Sequence, residues 1–131
     1  MENLWDQGQA DSLANNLLSL RVYSSRLIGR DSTLVLHGGG NTSVKGDYTD
    51  IFGVSHDVLY VKGSGWDLAT IEAGGFSPVK METLLALAEL ESLSDADMVT
   101  AQRGAMMDPS APTPSVEAIL HALIPFRFVD H

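Results

Sequence analysis

Glu117 and His121 form the first pair of residues in this chain that could carry chemistry. They are four positions apart, which places both on one face of a helix. A carboxylate and an imidazole so placed could act as an acid/base pair, or as two metal ligands. The alternatives are a surface ion pair or a partly buried histidine, and a structural role of this kind is the better interpretation of His121 taken alone.

Asp130 and His131 follow a short apolar stretch that reads as a strand. A histidine beside an aspartate at the end of a buried strand is a candidate metal ligand, although it can equally be an ordinary chain end. A catalytic zinc site needs about three protein ligands and an open position. The chain contains no cysteine, so disulfides and thiolate ligands are excluded.

A glycine-rich turn, His37-Gly-Gly-Gly40-Asn41-Thr-Ser43, lies between two predicted strands. A glycine run lets the backbone approach a ligand and present its N–H groups to an anion, and Asn41 and Ser43 add side-chain donors. Spacing alone favours a simple tight turn. No Gly-x-Ser-x-Gly elbow accompanies it, which excludes an esterase, and no Gly-Lys-Ser/Thr follows, which excludes a P-loop.

A second turn, Lys62-Gly63-Ser64-Gly65, follows another predicted strand. Its hydroxyl and its backbone N–H groups suit a phosphate, and Lys62 adds a positive charge only if its side chain faces the same way. Without further context this motif is more typical of a loop.

Around these motifs the apolar pattern predicts helices and short strands that together form one domain over residues 1–131. The predicted fold class is α/β, layered as α/β/α with a mostly antiparallel sheet. The predicted helices are 11–29, one starting at Ser77-Pro78, one starting at Ser94 with Asp97 as in a capping box, and about 115–124; the strands are 33–36, 42–45 with a turn at 46–47, 58–61 and 126–131.

The composition limits the partners. The net charge of −9 argues against nucleic acid and against an anionic membrane surface, but a small anion can still bind to backbone N–H groups and a local cation. The N-terminus does not resemble a signal peptide and no apolar run reaches the roughly 20 residues of a membrane span. We therefore expect a cytoplasmic protein.

Taken in order, Gly40-Asn41-Thr-Ser43, Lys62-Gly63-Ser64-Gly65 and Pro114-Ser-Val-Glu117…His121…Asp130-His131 resemble the class II aldolase/adducin family. This family includes zinc-dependent sugar-phosphate aldolases of the fuculose, rhamnulose and ribulose-5-phosphate epimerase type. The resemblance covers roughly residues 10–131. It is strongest to the aldolase part of bifunctional rhamnulose-1-phosphate aldolase/alcohol dehydrogenases.

The resemblance implies a role for each matching residue. Glu117 corresponds to the carboxylate that transfers the proton, and His131 to the first zinc ligand. The substrate is then a phosphorylated sugar, a ketose 1-phosphate such as rhamnulose 1-phosphate, whose enediolate the zinc stabilises as a Lewis acid. The residues predicted to bind the phosphate are Gly40, Asn41, Ser43, Ser64 and Gly65.

The chain departs from the family at its end. The family motif continues as Asp-His-Thr-His, so its second zinc histidine lies two residues past His131, and His37, His56 and His121 match no family ligand. We therefore expect this C-terminally incomplete chain to bind zinc weakly or not at all and to lack aldolase activity. We also expect an exposed sheet edge, and homo-oligomers formed through it.

Two other functions stay open at this stage. One is a non-catalytic, adducin-like interaction domain, and the other is a small phosphate- or anion-binding module. Retention of Glu117 together with both glycine-rich turns favours descent from an enzyme, because an interaction domain has no need of that carboxylate.

Overall fold

The computed structural model describes residues 16–31, 33–34, 40–90, 94–114 and 117–130. Two short 3₁₀ turns, Leu68–Thr70 and Ala73–Gly75, lie between the second and third strands. In chain order, the main elements of these ranges are helix α1 (Leu17–Gly29), strands β1 (Thr42–Thr49), β2 (Ser55–Lys62) and β3 (Phe76–Lys80), helices α2 (Met81–Ala88), α3 (Asp95–Gly104) and α4 (Ala118–Leu123), and strand β4 (Phe128–Asp130).

The four strands form one antiparallel sheet in the order β3-β2-β1-β4. β1 is paired on both sides: Ser43 lies opposite Val61 of β2 and opposite Val129 of β4. β4 is therefore an edge strand of the described sheet, as expected. The predicted α/β fold with a mostly antiparallel sheet is confirmed.

Helices cover both faces of this sheet. Successive strand residues point to opposite sides, so neighbouring residues of β2 belong to different cores. Leu59 and Val61 belong to one core, and Tyr60 between them packs against the other. The first core lies under the helices that follow β3, and comprises Leu59, Val61, Val79, Leu84, Ala105, Ala118 and Ala122. The second lies beneath α1, and comprises Leu68, Ile71 and Phe76 with Leu18, Val22, Ile28, Tyr60 and Trp66 around them.

Helix α1 presents a polar face to the sheet, centred on Arg21, which is only 2% exposed. Its guanidinium donates to the Ser25 hydroxyl (3.2 Å) and to the Ser43 carbonyl (3.3 Å), and it pairs with the Asp130 carboxylate at 2.7 Å. The Phe128 ring lies beneath it, with the guanidinium carbon 5.5 Å from the ring centroid. One side chain thus joins α1 to β1 and β4.

The burial of Arg21 has an electrostatic cost. Burial lowers the pKa of its guanidinium, and the charge and hydrogen bond of Asp130 act in the opposite direction. The ion pair therefore compensates part of the desolvation of a charge that the fold places almost out of water.

Three local predictions were wrong. β1 does not turn at residues 46–47 but continues to Thr49, and the hairpin turns at Asp50, whose carboxylate accepts from the N–H groups of Phe52 and Val54. His56 bonds the other oxygen of Asp50 at 2.7 Å, and this hydrogen bond is the main reason why the pKa of Asp50 is lowered.

The second error concerns Ser77 and Pro78, which lie in strand β3 and not at a helix start. Proline is tolerated there because β3 is an edge strand of the described sheet and a strand edge does not require its missing N–H. The helix begins only at Met81.

The other boundaries agree more closely. Ser94 caps α3 by accepting from the N–H of Asp97, as the capping pattern predicts. α1 is described from Leu17, after the Asn16 cap, so residues 11–15 of the predicted helix lie outside the described residues. The third error is the strand predicted at 33–36, because Thr33 and Leu34 lie in a turn; residues 35 and 36 are outside the described ranges.

In the described part of the chain, no helix is both long and apolar enough to cross a membrane. Beside the edge strand β4, Phe126 is 68% exposed and Phe128 37% exposed. Association of copies through this edge, and the cytoplasmic location, stay predictions.

We expect Arg21→Met to destabilise the fold, because it leaves Asp130, Ser25 and the Ser43 carbonyl without their shared donor. Removing one partner of a buried ion pair typically costs about 3–5 kcal/mol, and we expect the lower end because Asp130 is 55% exposed. Urea unfolding followed by circular dichroism measures this. Arg30→Met, at the exposed end of α1, is the control, and equal losses in both variants would contradict the assignment.

Candidate functional site

The pairing of β1 with β2 brings the two glycine-rich motifs together. Ser43 lies opposite Val61, so continuing the same register by two residues brings Asn41 opposite Gly63. Motifs that are about twenty residues apart in sequence therefore meet at one end of the sheet. Gly40 and Gly65 adopt φ angles of +79° and +88°, a region that favours glycine, which is why each motif can reverse direction here.

A cavity of about 560 Å³ lies at this end of the sheet. This is within the range of sites for small molecules, roughly 300–1,000 Å³. The loop that precedes α4 closes one side of it, since Pro114 bridges to Gly63. The described residues that line the cavity are Gly40, Asn41, Lys62, Gly63, Ser64, Thr113, Pro114 and Glu117.

Three residues of the β1 segment hold the segment that carries Glu117. The Asn41 amide donates to the Glu117 carboxylate at 3.1 Å, and the Ser43 hydroxyl and His121 Nδ1 are 2.7 Å apart. The Lys45 ammonium donates to the carbonyls of Ile124 and Phe126, just past α4. These contacts fix the position of the Glu117 carboxylate at the cavity.

The sequence predicted that Glu117 and His121 lie on one face of a helix and act as a pair. Both side chains face β1, but each has its own partner there. Glu117 immediately precedes α4 and lines the cavity, whereas His121 is fully buried beneath the helix.

The predicted phosphate residues divide into two groups. Gly40, Asn41 and Ser64 line the cavity together with the predicted catalytic residue Glu117. Ser43 and Gly65 are not among the lining residues: Ser43 is fully buried against His121, and Gly65 lies exposed at the turn.

The turn after β2 uses two of its N–H groups internally. The N–H of Gly63 donates to the Gly75 carbonyl and that of Ser64 to the Thr113 carbonyl, both at 3.0 Å. The expectation that free N–H groups of this turn form an anion nest is therefore wrong for Gly63 and Ser64. What this turn offers a ligand is the Ser64 side chain and the neighbouring Lys62.

Lys62 lines the cavity, so it lies on the same side as the turn and can contribute its positive charge there. It is only 9% exposed, and burial lowers the pKa of its ammonium, against the charges of Asp67 and Glu117. The sequence indicated Lys62 as a possible cation because it adjoins Gly63-Ser64. Strand alternation alone does not predict that it lies near Glu117. Thr113 carried no signal in the sequence, and Pro114 was noted only as the first residue of the motif that contains Glu117.

The described histidines have structural partners, as His56 bonds Asp50 and His121 bonds Ser43. Within the described ranges, no three His, Asp or Glu side chains are grouped so that they could hold a metal ion. His131, the predicted zinc ligand, lies outside the described residues, as does His37. The described residues therefore do not supply a zinc site by themselves, and we derive no step through a metal.

Comparisons with known proteins bear on the class of this site. No protein-family model matches the chain. The chain is 40% identical over all its 131 residues to the uncharacterized oxidoreductase YuxG of Bacillus subtilis (strain 168), and spans 19% of the length of that protein. It also resembles the solved N-terminal class II aldolase domain of a conserved protein from Thermoplasma acidophilum, with 44% identity and a TM-score of 0.89.

That structural match covers 100% of this chain and 59% of the solved one. Over its whole length the chain is therefore similar to a class II aldolase domain in both sequence and fold. The resemblance seen in the sequence motifs is confirmed at this level.

Two buried serines test the role of the Ser43–His121 contact. Ser43 and Ser77 are both fully buried, but only Ser43 has a hydrogen bond to its hydroxyl among the described residues. We expect Ser43→Ala to lower the free energy of unfolding by about 1–3 kcal/mol, because the buried imidazole loses a partner. Ser77→Ala, the matched control, should change it by less than about 0.5 kcal/mol or raise it.

Equal effects of the two serine substitutions in chemical unfolding would show that the Ser43–His121 contact does not hold α4 to the sheet.

A pair of glycines tests the packing of the cavity wall. A β-carbon at Gly63 would lie 2.5 Å from Pro112 Cγ and 2.9 Å from the Pro112 carbonyl oxygen, whereas one at Gly74 meets nothing within 4 Å. We expect Gly63→Ala to destabilise the protein by roughly 1–3 kcal/mol through overpacking. Gly74→Ala should change the free energy of unfolding by less than about 0.5 kcal/mol. Thermal unfolding of both variants measures the difference, and a tolerated Gly63→Ala would mean that the Pro112 loop is not packed as described.

Proposed function

We propose that this chain forms the phosphate-binding end of a class II aldolase-type site and supplies its proton-transferring carboxylate. The observation that carries the proposal is the hydrogen bond between Asn41 and Glu117 at the cavity, where both glycine-rich motifs meet. The phosphate end and the acid/base group are thereby held side by side.

The phosphate end consists of Gly40, Asn41 and Ser64. A phosphate has several strong acceptor oxygens, which suit the Asn41 amide and the Ser64 hydroxyl. Gly40, with its positive φ, lets the backbone reverse beside the ligand without a side chain in the way. Binding of this remote group provides energy that positions the reacting part of the substrate.

Glu117 is the group proposed to move the proton. Its carboxylate Oε2 accepts from the Asn41 amide, so its position relative to the phosphate end is fixed by the same side chain that contributes to that end. A positioned carboxylate within hydrogen-bond reach of a carbon acid can act as general base and then as general acid.

This arrangement and the resemblance to class II aldolases support a phosphorylated ketose as the substrate. A ketose 1-phosphate, such as rhamnulose 1-phosphate, has a phosphate at one end and an acidic C–H next to its carbonyl. The resemblance implies zinc as a Lewis acid in such a site, and His131 would be one of the residues that hold it.

Glu117→Gln tests both halves of the proposal. Titration with inorganic phosphate, followed by calorimetry, should show saturable binding by the 131-residue chain. Glu117→Gln should bind phosphate several-fold more tightly, because a negative charge beside the anion is removed. Glu72→Gln, an exposed carboxylate elsewhere, is the control and should leave the affinity unchanged.

The proton-transfer role is read from solvent deuterium exchange into dihydroxyacetone phosphate, the ketone that aldol cleavage of a ketose 1-phosphate releases, with and without added zinc. Exchange that Glu117→Gln slows by about 10²–10⁴-fold supports the proposal. Phosphate binding whose affinity Glu117→Gln leaves unchanged would mean that the carboxylate does not lie beside the bound anion, and would instead favour a small-anion binding module. No phosphate binding at all would overturn the proposal as a whole.

A further inference from the structure

We propose that the tip of the β1–β2 hairpin docks into a second cavity on another copy of this chain, and that two copies do so reciprocally. The hairpin tip comprises residues 50–54, and the second cavity lies beside the strands of the same hairpin. The inference goes beyond the proposed function and does not depend on it, because the cavity that contains Glu117 has other lining residues.

The hairpin tip is unusual for a turn because it exposes large apolar side chains. Ile51 is 94% exposed and Phe52 84%, the highest values for large apolar residues in the described ranges, and Val54 is 52% exposed. Turns usually carry polar residues, since apolar surface left in water gains nothing from folding. A contiguous group of exposed apolar side chains marks an interaction surface.

The backbone of the hairpin tip is held in one conformation. The Asp50 carboxylate accepts from the N–H groups of Phe52 (2.9 Å) and Val54 (3.0 Å). His56 bonds the other oxygen of this carboxylate. The N–H of Gly53, whose φ is +80°, donates to the Asp50 carbonyl. A tip ordered in advance loses little conformational freedom on docking, which favours binding.

A cavity of about 320 Å³, here called the stem cavity, opens beside the strands of this hairpin. Its volume is at the lower end of the range for small-molecule sites, which suits one or two large side chains. Two acidic and two basic residues lie around its apolar part, a pattern of apolar centre and polar rim that is typical of protein interfaces. The apolar residues that line it are Leu17, Val58, Met81 and Leu85.

Gly46 keeps one wall of the stem cavity free of a side chain. It lies inside β1 opposite Val58, where a glycine weakens a strand and often marks a close approach by another group. A β-carbon there would lie 3.4 Å from the Tyr60 ring, an ordinary contact distance, so packing within the chain does not require glycine. Docking of a partner side chain at this wall accounts for it.

The hairpin tip and the stem cavity lie on one hairpin, and this fixes the symmetry of the contact. Phe52 follows Gly46 by six residues, and a strand rises about 3.3 Å per residue, so the two points are roughly 15–20 Å apart. Two antiparallel hairpins related by a two-fold axis midway between these points place each tip at the cavity of the other copy. Such an interface uses the same surface on both copies and closes at a dimer.

The surface available is sufficient for a specific contact. Ile51, Phe52 and Val54 expose roughly 400 Å² per copy, since large apolar side chains carry about 150–250 Å² each. Two tips and the two cavity walls that they cover then reach the roughly 1,000 Å² of a specific interface. Although the chain has a net charge of −9, the acidic and basic residues of the stem cavity balance, so little repulsion opposes the contact.

Sedimentation of the 131-residue chain over a wide concentration range tests the proposal. We expect a monomer–dimer equilibrium without larger species. Phe52→Ser at the tip and Leu85→Glu at the cavity wall should each raise the dissociation constant at least about tenfold, as loss of a central apolar contact does. Phe126→Ser, which removes an exposed aromatic ring beside β4, is the matched control and should leave the constant unchanged.

Three results would overturn the proposal. One is a chain that stays monomeric at its highest soluble concentration. Another is a dimer that Phe126→Ser dissociates and Phe52→Ser does not, which would place the contact at the β4 edge. The third is a series of ever larger species, which indicates head-to-tail association. Phosphate binding, measured separately, decides the proposed function whichever result is found.

A cross-linking measurement tests the contact directly, because the chain has no cysteine of its own. Chains with Phe52→Cys and chains with Leu85→Cys are mixed and mildly oxidised, and we expect a mixed disulfide dimer. Chains with Phe126→Cys mixed with chains with Leu85→Cys are the control and should cross-link at least tenfold more slowly. Equal rates in the two mixtures would show that the hairpin tip does not enter the stem cavity.

Discussion

The site depends on a set of polar contacts between β1 and the segment that carries α4. Strand residues two apart are separated by about 6.7 Å, and helix residues four apart by about 6 Å, so one side of a strand can match one face of a helix over two steps. Here Asn41 meets Glu117 and Ser43 meets His121. Lys45 continues the series at the carbonyls beyond the helix. Contacts from one side of the β1 segment thus position the carboxylate of Glu117, which is proposed to transfer a proton.

The opposite face of β1 is held as firmly, since the Thr42 hydroxyl lies 2.8 Å from that of Ser25, which in turn accepts from Arg21. The guanidinium also reaches β4, where Asp130 precedes the predicted zinc ligand His131. A strand held by polar contacts on both faces has little freedom at its first residues. Such rigidity is what a binding site needs from its supporting elements, because small errors in position weaken both binding and catalysis.

Prediction and structure differ where contacts between distant segments override a local sequence pattern. The Ser94 cap was predictable because it is a local contact, in which the Ser94 hydroxyl accepts from the N–H of Asp97, three residues further on. Ser77-Pro78 imitates a helix start, but pairing with β2 overrides that local preference. Ser43 looked like a phosphate donor because it follows Asn41. Strand alternation does keep the two on one face, yet the Ser43 hydroxyl is used by a buried imidazole and lies away from the cavity.

Local sequence was enough to establish the acidic composition, the glycine-rich turns, most of the elements and, through the order of the motifs, the class II aldolase resemblance. These depend on residue type and short spacing, which the chain states directly. The partnership of Asn41 with Glu117 and the position of Lys62 beside that carboxylate were decided only by the tertiary structure. Both join residues far apart in sequence, and their geometry depends on strand register and on how a helix packs over the sheet, which no local pattern specifies.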